Sequence, residues 1–397
     1  MTKVFVRYPD SRMRERMAVE IQTSTKAPVY NARTNSQISI LSLTDEAQDL
    51  LKQAGAVIYE NVRLDKFSGE GEDEKPQLTT CAGLPLGKSI DDVLDRINAP
   101  KAWERSTGKG VTIVILDSGI DGTRPEFDGR HSDVDIASNY HGQHWHDDSG
   151  HGTMCAAIAC AKKNSLAKHN GVAPDANLIS ARTTFDTDDI FLIFEELITC
   201  KASGKVTGPL VVNNSYGRRI CAPFHKLPRD HPYLEVVELA VSSGITVVFA
   251  AGNNHCECKH DAKSYEPNSI WAANSVDNIL CVGAVDWNDS NTDPATPHSN
   301  SSRGPGQWSC NHPKPDCVAP CYGEVLWGTS YMYLPWWGTS GAAPQVSGLA
   351  ALLLSLNPGM RPDEIANIVR SSCKDLAAHE YCVGKGLIDC FNAVAAL

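Results

Sequence analysis

An α/β fold, with a doubly wound and mostly parallel sheet flanked by helices, is the class that this 397-residue sequence predicts. Three runs, VTIVILDSG, PLVVNNSYG and ITVVFAAGNN, are apolar almost throughout yet too short for typical helices, as strands buried on both faces are. A helix-like stretch, Tyr233 to Ser243, separates the last two, and alternation of this kind builds doubly wound sheets. Each run also ends in polar residues, at the carboxyl end of its strand, where such sheets gather their binding sites.

Residues 1–66 read differently. Strand-like runs at Lys3 to Tyr8, Gln37 to Leu43 and Ala56 to Val62 surround one helical stretch, Thr44 to Ala54, which predicts a small α+β unit. Residues 67–88, opening FSGEGEDEKP, are rich in Gly, Glu, Asp and Pro and read as an exposed linker, leaving residues 89–397 as the large domain.

Charge and patterning narrow the function classes. With 36 basic against 47 acidic residues the formal charge is −11, which disfavours nonspecific binding to nucleic acid or anionic membrane. No run of roughly 18 apolar residues is present, so membrane insertion is not expected. The start, MTKVFVRYPDSRMRERM, is interrupted by Arg7 and Asp10 and lacks the apolar core of a secretory signal, which favours an intracellular location. Fourteen cysteines pull towards an oxidising compartment, and the location stays open. Reduced, buried thiols are the favoured state, because a core of this size folds without cross-links.

Hydrolysis by a serine needs a hydroxyl, an imidazole to take its proton, a carboxylate to orient that imidazole, and donors for the oxyanion. Asp117 ends the strand VTIVIL, on a rigid element. His151 opens HGTMCAAIAC, whose small residues suit a helix packed closely on a sheet. Ser340 stands in WGTSGAAPQVSGLAALLL at a helix start, where backbone N–H groups favour negative charge. Asn253 follows Ala250, Ala251 and Gly252, and its amide is a second candidate donor. Singly, Asp117 reads as a turn residue, Ser340 as an N-cap and Asn253 as a left-handed turn residue. Together they point to catalysis.

In that order, DSGID, HGT, AAGN and GTSxAAP resemble the signatures of the subtilisin family, and GVAPDANL, NNSYG, SSRGP, KPDCVAP and GKGLIDCFNAV extend the resemblance over about residues 85–397. The resemblance implies a serine endopeptidase acting on peptide or protein substrates without an organic cofactor. Ser340 is then the nucleophile, His151 the general acid/base, Asp117 its orienting partner, and Asn253 with the Ser340 N–H the oxyanion site. Ser215, Tyr216 and Gly217 look like the family's substrate-binding strand, which pairs with an extended peptide, and Asn254 is a candidate lining residue. Cys155, one turn after His151, matches an HGTxC pattern similar to proteinase K and kexin-like members; it reads as packing rather than chemistry and implies sensitivity to mercurials. Two rivals share the same residues: a macrocyclising relative that passes the acyl group to an amine, and an inactive pseudoprotease that binds peptides.

Weaker signals concern metals. Glu126 occupies the place of a calcium-binding aspartate in many subtilisins, which makes it a candidate ligand for a structural calcium ion; a solvated carboxylate is the alternative. The run His141, His144, His146, Asp147, Asp148 reads as the polar, solvated loop ahead of His151 rather than as a metal site. HCECKH at 255–260 and CNHPKPDC with Cys321 miss the paired spacing of zinc sites, so disulfides or free thiols are favoured. Substrate preference is not legible. By position, the N-terminal unit resembles a propeptide that acts as intramolecular inhibitor of a zymogen. Incubating the active purified protein is therefore expected to release the first 65 to 90 residues autocatalytically, as read by intact mass; a persisting full-length chain would count against it.

Overall fold

Alternation along β1 (Thr2–Arg7) explains the N-terminal unit, in which β1 is followed by α1 (Ser11–Thr25), β2 (Tyr30–Asn31), β3 (Ile38–Leu43), α2 (Asp45–Gln53) and β4 (Val57–Glu60). The strands form an antiparallel sheet in the order β2-β3-β1-β4. Val4 and Val6 face a core with Ile21, Leu41, Leu43 and Leu51. Phe5, on the opposite face, joins Ile38, Ile40 and Tyr59 in a second core that continues into the large domain. Thr44 caps α2, its hydroxyl accepting from Ala47 N at 3.3 Å. Helix α1 was not anticipated; its signal is the spacing of Met13, Met17 and Ile21 along one face, diluted by charged residues. The computed structural model describes the chain apart from residues 26–27, 67–86, 133, 135, 137, 139, 141, 219–225, 256–268, 287–295 and 310–311, and apart from the side chains at 18–20 and 22–25. Most of the expected linker lies outside the described residues.

The short β5 (Asp65–Lys66) precedes α3 (Ile90–Arg96) and α4 (Ala99–Ala102). Then come β6 (Thr112–Asp117), α5 (His151–Cys160), β7 (Asn177–Arg182), α6 (Thr187–Ala202), β8 (Leu210–Asn214), β9 (Tyr216–Gly217), α7 (Pro232–Ser242), β10 (Thr246–Ala250), β11 (Leu280–Val285) and β12 (Cys317–Pro320). A hairpin of β13 (Gly323–Trp327) and β14 (Ser330–Leu334) leads into α8 (Thr339–Leu356), α9 (Pro362–Ser372), α10 (Glu380–Val383) and α11 (Cys390–Ala395).

Six strands form one parallel sheet in the order β12-β11-β10-β8-β6-β7. Both faces are apolar, as the continuous runs require: Ile113 and Ile115 pack with α5 and α8, while Val114 and Leu116 pack with α6 and α7. From β6 the chain winds to β7 at one edge, then returns to β8 on the other side of β6. That reversal opens a crevice at the carboxyl ends of β6 and β8. All nine described cysteines are free thiols, buried except for Cys373.

The N-terminal sheet lies on α6 and α7. Phe5 meets Phe191 edge-on at 5.5 Å and His231 at 5.2 Å. The fully buried Glu195 accepts from Tyr30 OH at 2.6 Å, Thr34 N at 2.6 Å and Arg33 N at 3.1 Å. His231 caps α7 by accepting from Tyr233 N at 3.1 Å, so its Nε2 is the donor to the Glu60 carbonyl at 2.9 Å. This neutral tautomer is the one burial favours, and burial pushes the pKa of His231 down from 6.5 to about 4. With the folded pKa depressed, the stabilisation is complete above pH 6.5 and is lost as pH falls towards 4, at about 1.4 kcal/mol per unit. Urea midpoints measured from pH 7 to 4.5 are expected to fall less steeply in His231→Asn than in the parent, the difference isolating this group from nearby Asp230 and Arg7.

Candidate active site

A carboxylate at the end of a central strand is held from both sides by the sheet, and Asp117 at the end of β6 is fully buried there. Its Oδ1 accepts from Ser118 N at 2.7 Å and from His151 Nδ1 at 2.8 Å. Thus the first two of the four expected residues meet.

His151 is the first residue of α5, so the start of this helix sets the imidazole. Gly150 before it is left-handed, with φ 80°, and brings no capping side chain. The cap comes from Asp147: Oδ1 accepts from Ser149 N at 3.0 Å and Gly150 N at 2.9 Å, and Oδ2 accepts from Thr153 N at 2.9 Å and Thr153 Oγ1 at 2.7 Å. Ser149 Oγ takes His151 N at 3.2 Å and Ser118 Oγ takes Gly152 N at 3.0 Å, which satisfies the remaining first-turn donors. A Cβ at Gly152 would stand 2.0 Å from the Gly119 carbonyl, so only glycine lets the helix approach β6 this closely.

Ser340 is the second residue of α8, also fully buried. Pro344, four residues on, lacks an N–H, so the helical bond to the Ser340 carbonyl is never made. That carbonyl accepts instead from Ser215 Oγ at 3.1 Å and Cys155 Sγ at 3.6 Å. A chain of side chains continues inward, Asn213 Nδ2 donating to Ser215 Oγ at 3.0 Å and Ser347 Oγ to Asn213 Oδ1 at 3.0 Å. Asn213 and Ser347 were not singled out from the sequence; their signal is a polar residue at a fully buried position. The Ser340 hydroxyl donates to the Ser215 carbonyl at 3.1 Å, and His151 Nε2 is buried with no hydrogen-bond partner among the described residues. Asn253 Oδ1 accepts from Thr339 N at 2.9 Å and Thr339 Oγ1 at 3.0 Å, which directs its amide nitrogen away from Thr339. Trp327, in the hairpin ahead of α8, lies edge-on to the His151 ring at 6.0 Å. Burial, with Asp117 nearby, holds the Cys155 thiol well above its usual pKa, so it is a protonated donor.

Ser215, Tyr216 and Gly217 line up beside Ser340, and the edge of β9 is already paired: Gly217 with Asp65 and Tyr216 with Lys66, antiparallel. The Tyr216 side chain points inward, packed on Phe185 and Phe249, with its hydroxyl on Asn214 Oδ1 at 2.8 Å. Asn254 is buried and donates to the Arg218 carbonyl at 3.1 Å. Neither side chain is exposed: Tyr216 packs in the apolar core that also takes up Val62 and Leu64, and Asn254 is held against the Arg218 carbonyl.

Glu126 does not fit a calcium ligand, which corrects the sequence expectation. Arg124 grips both carboxylate oxygens, at 3.0 and 3.2 Å, and Tyr331 OH donates to one at 2.7 Å, so a guanidinium already supplies the cation. The histidine run does not converge either. His144 is buried on Ile136 O and Arg182 N, His146 pairs with Asp148 at 2.6 Å, Asp147 caps α5, and His141 lies outside the described residues. Of HCECKH only His255 is described, and Cys310 is not. Among the described residues the one cluster with metal-ligand geometry is Asp117, His151 and Cys155, inside the active site itself.

A model of the subtilase family matches residues 108–386. The chain is 30% identical over 312 residues to serine protease AprX of Bacillus subtilis (strain 168), covering 72% of this chain and 67% of that one. It is 28% identical over 325 residues to a calcium-dependent protease of Trichormus variabilis (strain ATCC 29413 / PCC 7937), covering 72% and 44%. Among solved structures, fervidolysin from Fervidobacterium pennivorans, a keratinolytic enzyme related to subtilisin, superposes with a TM-score of 0.68 over 99% of this chain and 61% of that one. At 20% identity that likeness concerns the fold. The chain thus spans two thirds or less of the length of these relatives.

Because Asp147 accepts from Thr153 N in the first turn of α5 and from Gly150 N just ahead of it, Asp147→Ala is expected to lower stability by about 1–2 kcal/mol in urea titration. Asp147→Asn, which retains the acceptor on one side, should lose less.

Proposed function

From the membership of this chain in the subtilase family, we propose that it is a serine endopeptidase that hydrolyses peptide bonds through an acyl-enzyme. One observation carries the reading: the buried Asp117 carboxylate binds His151 Nδ1 at 2.8 Å, which leaves Nε2 as the basic nitrogen, and Cys155, one turn along the same helix, reaches the Ser340 carbonyl at 3.6 Å at the start of α8. A turn of Ser340 about Cα–Cβ, from the Ser215 carbonyl to Nε2, completes the relay. The imidazole then takes the hydroxyl proton as Oγ attacks the substrate carbonyl, and Asp117 stabilises the imidazolium without becoming protonated. The Asn253 amide nitrogen and the Ser340 N–H, at the positive end of α8, receive the oxyanion. Returned to the leaving amine, the proton frees the acyl-enzyme for water.

Residues 1–66 act, in this reading, as an intramolecular inhibitor joined by the linker 67–88 to the peptidase domain 89–397. Support comes from the occupation of the β9 edge by β5 and from the extensive docking on α6 and α7. No organic cofactor is involved. Calcium, which one relative carries in its name, enters only as a structural ion away from Glu126, and the chemistry does not call on it.

A fluorophosphonate probe is expected to label Ser340 in the processed protein, with labelling lost in Ser340→Ala. Asn253→Ala should retain labelling while kcat on a peptide ester falls about 10²–10³-fold. Peptide binding without labelling would identify an inactive pseudoprotease, and cyclic products by mass a macrocyclising relative.

A further inference from the structure

The tip of the β13–β14 hairpin is fastened to the start of α5. Trp327 and Ser330 pair across the hairpin, so Gly328 and Thr329 form its turn, and both turn residues are tied down. Gly328 N donates to Gly150 O at 3.3 Å, the same carbonyl that accepts Met154 N at 3.0 Å as α5 begins. Thr329 O accepts from Arg124 Nη1 at 3.0 Å. Arg124 is held in its turn by the buried Glu126, whose Oε1 also accepts the Tyr331 hydroxyl at 2.7 Å from the second residue of β14. One buried carboxylate thereby anchors both the guanidinium that grips the turn and the strand that leaves it.

Trp327 is the side chain that this anchoring sets against the imidazole. The five-membered ring of its indole lies on Gly150, where a Cβ would stand 2.7 Å from Trp327 Cδ1 and 2.8 Å from Trp327 Nε1. The indole meets the His151 ring at 6.0 Å between centroids and 81° between planes, an edge-to-face arrangement that aromatic quadrupoles favour. Asp117 by itself holds one ring atom, Nδ1, at 2.8 Å, and about that point the imidazole still swings on its Cα–Cβ and Cβ–Cγ bonds. A general base works only while it stays within hydrogen-bonding reach of the proton it takes. A second contact, delivered from another element of the fold, removes that swing.

Resting on the peptidase reading above, we infer that Trp327 is a positioning residue of the peptidase: carried on a hairpin tip pinned to Gly150 and Arg124, it holds the His151 imidazole in the orientation that keeps Nδ1 on Asp117 and Nε2 available as the base. Trp327 takes no proton and forms no bond in the reaction. Its removal lets the imidazole leave the productive orientation for part of the time, which lowers the rate of the chemical step. The β9 edge that pairs with an extended chain is not altered, so binding is retained.

The test uses the full chain, incubated to constant activity on a peptide ester, with Ser340 sites counted by fluorophosphonate so that kcat is expressed per labelled site. Trp327→Ala is expected to lower kcat about 10- to 100-fold while KM changes less than about 3-fold. Trp327→Phe, which keeps an aromatic edge, should recover most of the loss, whereas Trp327→Leu, which keeps apolar bulk alone, should not. Urea midpoints of the same proteins separate this from a loss of folded enzyme, and should not track kcat across the three variants. If Trp327→Ala does not fold, the comparison of Phe with Leu decides. A parent-like kcat in Trp327→Ala, equal recovery by Phe and Leu, or a loss confined to KM overturns the inference and leaves the peptidase reading standing. A parent chain that is neither labelled nor active overturns both readings together.

Discussion

A carboxylate with no exposed surface must be held by donors or it costs several kcal/mol to ionise, and Asp117 is held by Ser118 N and His151 Nδ1. That need dictates what surrounds it. The imidazole has to arrive at the end of β6 with Nδ1 inward, so α5 must begin at His151, and a helix beginning inside a crevice must have its first N–H groups satisfied there. Asp147, Ser149 and Ser118 do so, all from the loops that flank the strand and the helix. Two glycines complete the approach: Gly150 supplies the left-handed turn and Gly152 the contact with Gly119.

The nucleophile is set by a different device. Proline inside a helix usually weakens it, because one carbonyl is orphaned. Here the orphan is the carbonyl of Ser340, and its partners come from β9's approach (Ser215) and from α5 (Cys155). One backbone atom thereby ties together the strand that faces a peptide, the helix that bears the base and the helix that bears the hydroxyl. Thr339 does the same for the oxyanion side, fixing Asn253 by its oxygen end. The thiol of Cys155 stays protonated in this position, which suits a weak donor beneath the site rather than a second nucleophile.

The N-terminal unit follows the same logic of satisfying buried groups. Its sheet has two apolar faces, one covered by its own helices and one by α6 and α7. Glu195 is buried and accepts four N–H or O–H donors from that unit, so either half without the other leaves unsatisfied surface. Docking of this kind delivers the chain after β4 directly into the crevice.

Much of this was legible in the sequence. Continuous apolar runs identified β6, β8 and β10 because a strand buried on both faces has no polar side to show, and the helical spacing of Ala47, Leu50 and Leu51 located α2. Asp117, His151, Ser340 and Asn253 were found because each sits at the end of a periodic segment. Helix α1 was obscured by a charged surface around a narrow stripe, and Asn213 and Ser347 look like ordinary polar residues until burial is known. Other roles depend on partners distant in the chain. Whether Glu126 meets a metal or Arg124 and Tyr331, whether Tyr216 faces outward or Phe249, and whether β9 is open or paired with β5 are outcomes of packing. Sequence alone determined which groups the chain possesses and which elements carry them, since periodicity and capping act over a few residues. Only the tertiary structure decided which groups neutralise one another, because hydrogen bonds and ion pairs form between whatever atoms the fold brings within about 3 Å.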